Sequence, residues 1–416
     1  MDCIITDFGA RVSDRLQTNA IQAAIDACFL AGGGTVTVPC GVFRTGGLRL
    51  RSGVTLYLQS GAYLEGSDNP EDYLGFWQDT LEPVTPSPVE ARSANPFSRW
   101  NNGLIKAIDA HDIAIIGEVG SYIDGVDCYD AEGEEGYRGP HAINLQNCER
   151  VTLCGYTVRR SANWAHAIFH TQDLHIQNVT VYGGHDGIDI FLCDRVLIED
   201  CRILSGDDGI AGYDNYDVTV QNCYFESACS TFRFGGHKVL VQNCTAAAPA
   251  AFGHRWELNA EERAARADSA HCRHNTLTTF LYYCDYRFKQ PLRHTPGDIL
   301  VRHCTFEGAD VIFDMPFGAH IWCNHRPLTS IRFEHCRFTD VCRPSTLFGG
   351  ADEPLCFEME ACAISARAGC EDIAVLQARD CERITLNNVT FDNFSAPRAI
   401  TLTDGVYTMD IPVEKQ

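Results

Sequence analysis

No apolar run in the chain approaches the ~18 residues needed to cross a bilayer, and the opening MDCIITDFGARVSD has neither a basic n-region nor an apolar h-region. The sequence therefore predicts no membrane segment and no secretory leader, hence a cytoplasmic protein, a trimmed secreted form being the alternative. Basic residues are few: 33 Lys and Arg stand against 55 Asp and Glu, for a net charge of -22. A surface this negative repels nucleic acid and disfavours a long polyanion as substrate unless a local basic patch intervenes. The CxxC pair of zinc ribbons is missing although the chain holds 21 cysteines. Disulfide frameworks belong to short secreted chains, so these cysteines read as buried, reduced thiols. With 45% hydrophobic and 21% charged residues, the composition excludes a disordered chain.

What the sequence does contain is a repeat. LHIQN ends at Asn178, VLIED at Asp200, VTVQN at Asn222 and VLVQN at Asn243, at intervals of 22, 22 and 21 residues. INLQN ends at Asn147, ILVRH at His303, IRFEH at His335 and ITLNN at Asn388; cysteine follows at 148, 201, 223, 244, 304 and 336. Each segment alternates Val, Ile, Leu or Thr with polar residues, as strands do. Strands this closely spaced leave no room for crossover helices, and the Leu-x-x-Leu-x-Leu frame of leucine-rich repeats is absent. The pattern predicts an all-β parallel solenoid, a β-helix in which each turn of chain stacks on the last. Asn can hydrogen-bond to its equivalent one coil away, while Cys stacks as a small apolar residue.

A solenoid needs a cover over its open end. TNAIQAAIDACFLAGGG predicts a capping helix over about 18–31, with Thr18 as N-cap, an apolar face of Ile21, Ala24, Ile25 and Cys28, and a stop at Gly32 to Gly34. Longer interruptions fall at about 68–100, 126–140 and 254–297; the last contains NAEERAARADSAHCR, which predicts a short polar helix. These read as loops on one body spanning 1–416, and such insertions often build the binding face.

In this geometry residues 22 apart stand ~4.8 Å above one another. Asp186 and Asp208 are such a pair, with Asp207 beside Asp208 and His185 below Asp207. Asp189 lies one alternation further along its strand, with Arg233 two coils above. Carboxylates held this close cannot all ionise normally, so one is pushed toward acid duty. A protonated donor beside a charged base suits glycoside hydrolysis. The bland reading is that Asp-Gly pairs merely end strands in turns.

At these residues a resemblance appears. ITDFGA, AIQAAIDAC, GGGTVTVPCGVFRTGGLRLRSGVTLYLQSGAYLEGS, HDGIDI and SGDDGIA resemble glycoside hydrolase family 28, the polygalacturonase-like right-handed parallel β-helix enzymes, over about residues 4–245. The resemblance implies Asp207 as general acid, Asp186 and Asp208 activating water, and hydrolysis with inversion. It implies no metal or organic cofactor, and a supporting role for Asp189.

The departures matter as much. Gly184, His185 and Asp186 stand where the family has Asn-Thr-Asp, and Ala228, Cys229 and Ser230 where it has Gly-His-Gly. The missing histidine could be replaced by His185, His237 or His254. Arg255, Trp256 and Glu257 align with Arg-Ile-Lys, which grips a substrate carboxylate, and the family's later lysine is replaced near Tyr213. These losses argue for a shorter or neutral oligosaccharide, cleaved in an exo manner, over polygalacturonate; Arg233 and Arg255 remain to hold one carboxylate. Tyr213, Tyr216, Trp256 and Trp164 are candidate sugar-stacking rings, each alternatively a packing residue. His254, His271 and His274 match no tetrahedral metal spacing. Two other functions fit the same residues: a lyase or uronate epimerase, with Ca²⁺ on Asp186, Asp189, Asp207 and Asp208, or a non-catalytic carbohydrate-binding solenoid. The sequence leaves the oligomeric state open.

Overall fold

The computed structural model describes residues 1–73, 99–255, 258–265, 271–285, 292–320 and 322–395, together with the backbone of the strands Ile400–Leu402 and Val406–Asp410. One coil shows how the repeat becomes structure. His166–Phe169, Gln172–Gln177 and Thr180–Tyr182 are three short strands separated by two sharp corners. Each pairs in parallel with its equivalent in the next coil: His166 with Ile188, Leu174 with Val196, and Thr180 with Arg202. Repetition builds three columns of strands. The third column is a 12-stranded sheet of its own. The other two merge into a 24-stranded sheet because Ile210–Gln221 and Ser230–Gln242 continue through the corner between them, with a bulge between Gly212 and Asn215.

The alternation then fills the interior. Val196 pairs with Val218, Val218 with Val239, and Val239 with Ile299; all four are at most 3% exposed. Buried aliphatic side chains of this kind contribute about 1.5–3 kcal/mol each. The repeating Asn, Asp or His ends its strand in the left-handed region, with φ of 52° at Asn178, 55° at Asp200, 55° at Asn222 and 51° at His335. Asn and Asp tolerate that conformation better than other residues with a Cβ, which explains the residue choice. They also form the expected ladder: Asn222 Nδ2 donates to Asp200 at 3.3 Å and Asn243 Nδ2 to Asn222 at 3.5 Å. The sulfurs of Cys201, Cys223, Cys244, Cys304, Cys336 and Cys362 each lie within hydrogen-bond reach of the next. All 21 cysteines are free thiols.

The cap is the helix Thr18–Leu30, and Ile21, Ala24, Ile25 and Cys28 are its buried face. Thr18 is not its N-cap: Gln17 holds that position, and the Thr18 hydroxyl instead accepts the Gly46 N–H at 2.8 Å. The hydroxyl is thus used to fasten the helix to the first coil. Within 126–140 the strand Tyr129–Glu134 folds back so that Arg138 bridges it antiparallel. The expected polar helix is Ala260–Ala265. The span 254–297 is not all insertion, however, because Thr278–Tyr282 pairs with Ser230–Phe234 below and Val311–Asp314 above as part of the helix wall. Most of 68–100 lies outside the described residues. No described helix is long and apolar enough to cross a membrane. All three interruptions leave from the same corner, between the third column of one coil and the first column of the next, and within the last of them residues 283–296 also separate a first-column strand from its second-column successor.

Candidate active site

That corner carries the acids. Where Ile188 pairs with Ile210, the two residues before each strand become stacked turns. Asp208 N–H donates to Asp186 Oδ1 at 3.3 Å, and Ser230 N–H donates to Asp208 Oδ1 at 3.0 Å, so each carboxylate accepts the amide one coil on. Asp207 N–H donates to the His185 carbonyl at 3.2 Å, completing a second column, His185, Asp207, Cys229. Oxygens of Asp186, Asp207 and Asp208 lie within 4.8 Å of one another. The Asp186 and Asp208 side chains are 3% and 2% exposed against 16% for Asp207, which is therefore the most open of the three.

Positive groups divide the cluster. Arg233 Nε contacts Asp208 at 2.6 Å and its Nη2 reaches Asp186 at 3.5 Å, while its guanidinium lies over Tyr283 and Trp322 at 4.8 and 5.3 Å. Asp207 faces two groups from separate insertions, His254 Nε2 at 3.4 Å and Arg138 Nη2 at 3.8 Å. Burial pushes the Asp186 and Asp189 carboxyls well above the usual carboxylate range, and the neighbouring acids add to it; Asp208 is pushed up for the same reasons. Burial acts on Asp207 too, but the hydrogen bond and charge of His254, with Arg138 and Arg233, outweigh it and hold that carboxyl below its usual range.

The remaining sequence candidates separate. His185 is 1% exposed, its ring 5.5 Å from Tyr137, and burial holds its imidazole neutral. Asp189 is fully buried beside Asp186. Arg255 is engaged by both oxygens of Asp127, at 2.5 Å each. Tyr213 and Trp164 belong to a buried aromatic cluster with Trp100, Phe169, Phe191 and Tyr283, on the outer face of the sheet. Tyr216 stacks on His294 at 4.2 Å, and His237 bonds to the Thr295 carbonyl at 3.0 Å. Trp256 and Glu257 lie outside the described residues. His271 faces Glu262 at 3.6 Å and His274 the Ala250 carbonyl at 2.8 Å, so among the described residues neither joins His254.

One residue escaped the sequence reading of this site: Arg138 arrives from a hairpin with no periodic register. Cys229 stands in the stack beside Asp207, where the sequence aligned it with the family's histidine. Of the three histidines considered as its replacement, His254 is the one the fold brings to Asp207. Two ligand sets could gather a cation, Asp186 with Asp207 and Asp208, and Asp207 with Cys229 and His254; in both, Arg233 or Arg138 already supplies positive charge to the carboxylates. Beside the acids, a groove of about 900 Å³ runs along the corner, walled by Arg159, Arg160, Tyr182, Phe252 and Arg255, with Gly183 and Gly184 at its edge.

A stacked-coil wall with acids at one corner defines the class: the chain is a right-handed parallel β-helix protein. Residues 141–253 match the family described as "Right handed beta helix region". Within that class the likeness runs to polygalacturonases. The chain is 29% identical over 231 residues to a probable polygalacturonase of Vitis vinifera, covering 51% of this chain and 45% of that protein. It is 53% identical over 70 residues to an exo-poly-α-D-galacturonosidase of Dickeya chrysanthemi, 17% of this chain and 11% of that one. It thus spans less than half the length of either relative. The structure overlays a family 28 exopolygalacturonase of Yersinia enterocolitica with a TM-score of 0.61 at 17% identity, over 100% of this chain and 78% of that one.

Proposed function

We propose that the chain is a glycoside hydrolase acting on an oligosaccharide, with Asp207 as proton donor and Asp186 and Asp208 positioning the attacking water. The observation that carries this reading is the division of one acid cluster into an open member, Asp207, and a buried, Arg233-bound pair. Its neighbours hold Asp207 toward the charged form when the site is free, and His254 Nε2, 3.4 Å away, is the group placed to pass it a proton. A glycosidic oxygen entering against Asp207 draws that proton across, while water held by Asp186 and Asp208 attacks the anomeric carbon. Likeness to exo-acting enzymes supports removal of terminal sugars. Arg233 is committed to Asp186 and Asp208, and Arg255 to Asp127, which supports a sugar without a tightly clamped carboxylate at the cleavage point.

The test is release of reducing ends from oligogalacturonides and neutral aryl glycosides. Asp207→Asn should lower kcat by about 10²–10⁴-fold, and proton NMR of the first product should show the inverted anomer. Turnover unchanged in Asp207→Asn, or an ultraviolet-absorbing unsaturated product, would overturn the reading; the latter would favour a lyase.

A further inference from the structure

Of the two ligand sets at the corner, the one made of acids already holds a guanidinium: Arg233 Nε lies 2.6 Å from Asp208 and its Nη2 3.5 Å from Asp186. The other set, Asp207, Cys229 and His254, joins a carboxylate oxygen, a thiol sulfur and an imidazole nitrogen within 4.8 Å of one another. Ligands on a tetrahedral ion with bonds of ~2.0–2.3 Å stand about 3.3–3.6 Å apart, and Asp207 Oδ2 and His254 Nε2 are already 3.4 Å apart. Cys229 comes from the next coil, where its N–H donates to the Ser227 hydroxyl at 3.1 Å and its carbonyl accepts the Leu277 N–H at 2.7 Å. Its backbone is thus fixed, while its sulfur receives a weak contact from the Ser230 hydroxyl, at 3.9 Å. Arg138 is the competing charge. Its Nε donates to Glu135 at 2.9 Å and its Nη1 to Asn163 at 3.3 Å, so Nη2 is what it turns to Asp207, at 3.8 Å. At that distance the guanidinium repels an incoming cation without covering the carboxylate lone pairs an ion needs.

The donor types select the ion. Ca²⁺ and Mg²⁺ take a shell of about six or more oxygens, and this trio offers a single carboxylate. Sulfur, imidazole and carboxylate together suit Zn²⁺ and the ions that resemble it. We propose that Asp207, Cys229 and His254 form a binding site for a thiophilic divalent cation of the zinc type, and that the bound ion halts turnover by taking the atoms through which Asp207 and His254 pass a proton. On binding, the Cys229 thiol releases its proton to solvent and its sulfur gives a lone pair to the metal; no electron is transferred. The site captures its ion reversibly. His254 Nδ1 is buried without a hydrogen-bond partner among the described residues. The ring therefore lacks the outer acceptor that commonly steadies a metal-bound imidazole, a difference of about 10–100-fold in affinity, and Arg138 weakens binding further. The inhibitory consequence rests on the hydrolase reading; the binding site does not.

The experiment titrates the full chain with Co²⁺, a coloured stand-in for zinc, in wild type, Cys229→Ser and Cys229→Ala. The wild type should take up one equivalent with the near-ultraviolet charge-transfer absorption of a cobalt–thiolate bond, and Zn²⁺ should displace it. Both variants should lose that absorption. Its absence from the wild type overturns the proposal; undiminished absorption in the variants places the ion on another cysteine and overturns it equally. Ca²⁺ and Mg²⁺ should leave the cobalt in place, and displacement by either at equal concentration assigns the ion to the acids instead. In kinetics, each form is compared with its own zinc-free rate. Zn²⁺ should inhibit the wild type, a chelator should restore it, and the inhibition constant should rise about tenfold or more in Cys229→Ser; an unchanged constant counts against the site. Should Cys229→Ala fail to fold, the serine variant, closest in size, decides. If no glycoside is cleaved by any form, the hydrolase reading fails while the cobalt titration still settles the site.

Discussion

Asp207 has the most open face of the three acids and is also the one its neighbours keep charged. His254 is what reconciles those facts, because its Nε2 stands 3.4 Å from the carboxylate, where a proton can pass between them. His254→Ala should cut kcat by about 10²-fold or more, measured on whichever glycoside the activity screen identifies. Burial gives a stability prediction of opposite character. Asp189 has its carboxyl raised on folding, so below the unfolded value of ~3.9 it costs nothing. As pH rises above that, the unfolded chain ionises more readily than the folded one and gains relative to it. Asp189→Asn removes this liability, so its Tm advantage over wild type should be absent near pH 3 and grow toward pH 8, as followed by thermal denaturation. The stacking of Asp186 on Asp208 is legible in the sequence because a 22-residue interval becomes one strand spacing. The approach of His254 and Arg138 to Asp207 is not, because both ride on insertions whose geometry no period fixes.

At the scale of the coil, the strand-ending residues are the most sharply specified. Asn222 combines a φ of 55° with side-chain hydrogen bonds to the coils on either side. Asn222→Ala should cost about 1–2 kcal/mol through left-handed strain, read by urea denaturation, whereas Asn222→Gly should cost less because glycine accepts that backbone freely. The same requirement explains why Asn, Asp and His alternate at this position so regularly that the repeat is visible without coordinates. Where a different contact decides, the pattern misleads. Thr18 has the residue type of an N-cap but bonds to Gly46, and the strand Thr278–Tyr282 hides inside a stretch that reads as loop because residues 283–296 separate it from ILVRH, the part of its coil that carries the repeat.

For the molecule as a whole, burial sorts the thiols. Cys148 and Cys193 are fully enclosed, and desolvation pushes each up to about 12, whereas Cys40 is exposed. Alkylation of the native protein followed by peptide mass spectrometry should therefore label Cys40 first and leave Cys148 and Cys193 unmodified until the chain unfolds.

The continuous passage of Ile210–Gln221 and Ser230–Gln242 through one corner has a consequence of its own. The turn there is made within the strand, at a bulge between Gly212 and Asn215 with Asp214 at a φ of 54°, and Asn215 stitches it to the Cys193 amide at 3.0 Å and the Ile190 carbonyl at 2.9 Å. In those two coils the extra chain lies at the other corner, from which Arg138 and His254 both descend. Descendants of such a chain can exchange their rim, and with it their choice of sugar, while the chemical floor stays bolted to the stitched edge.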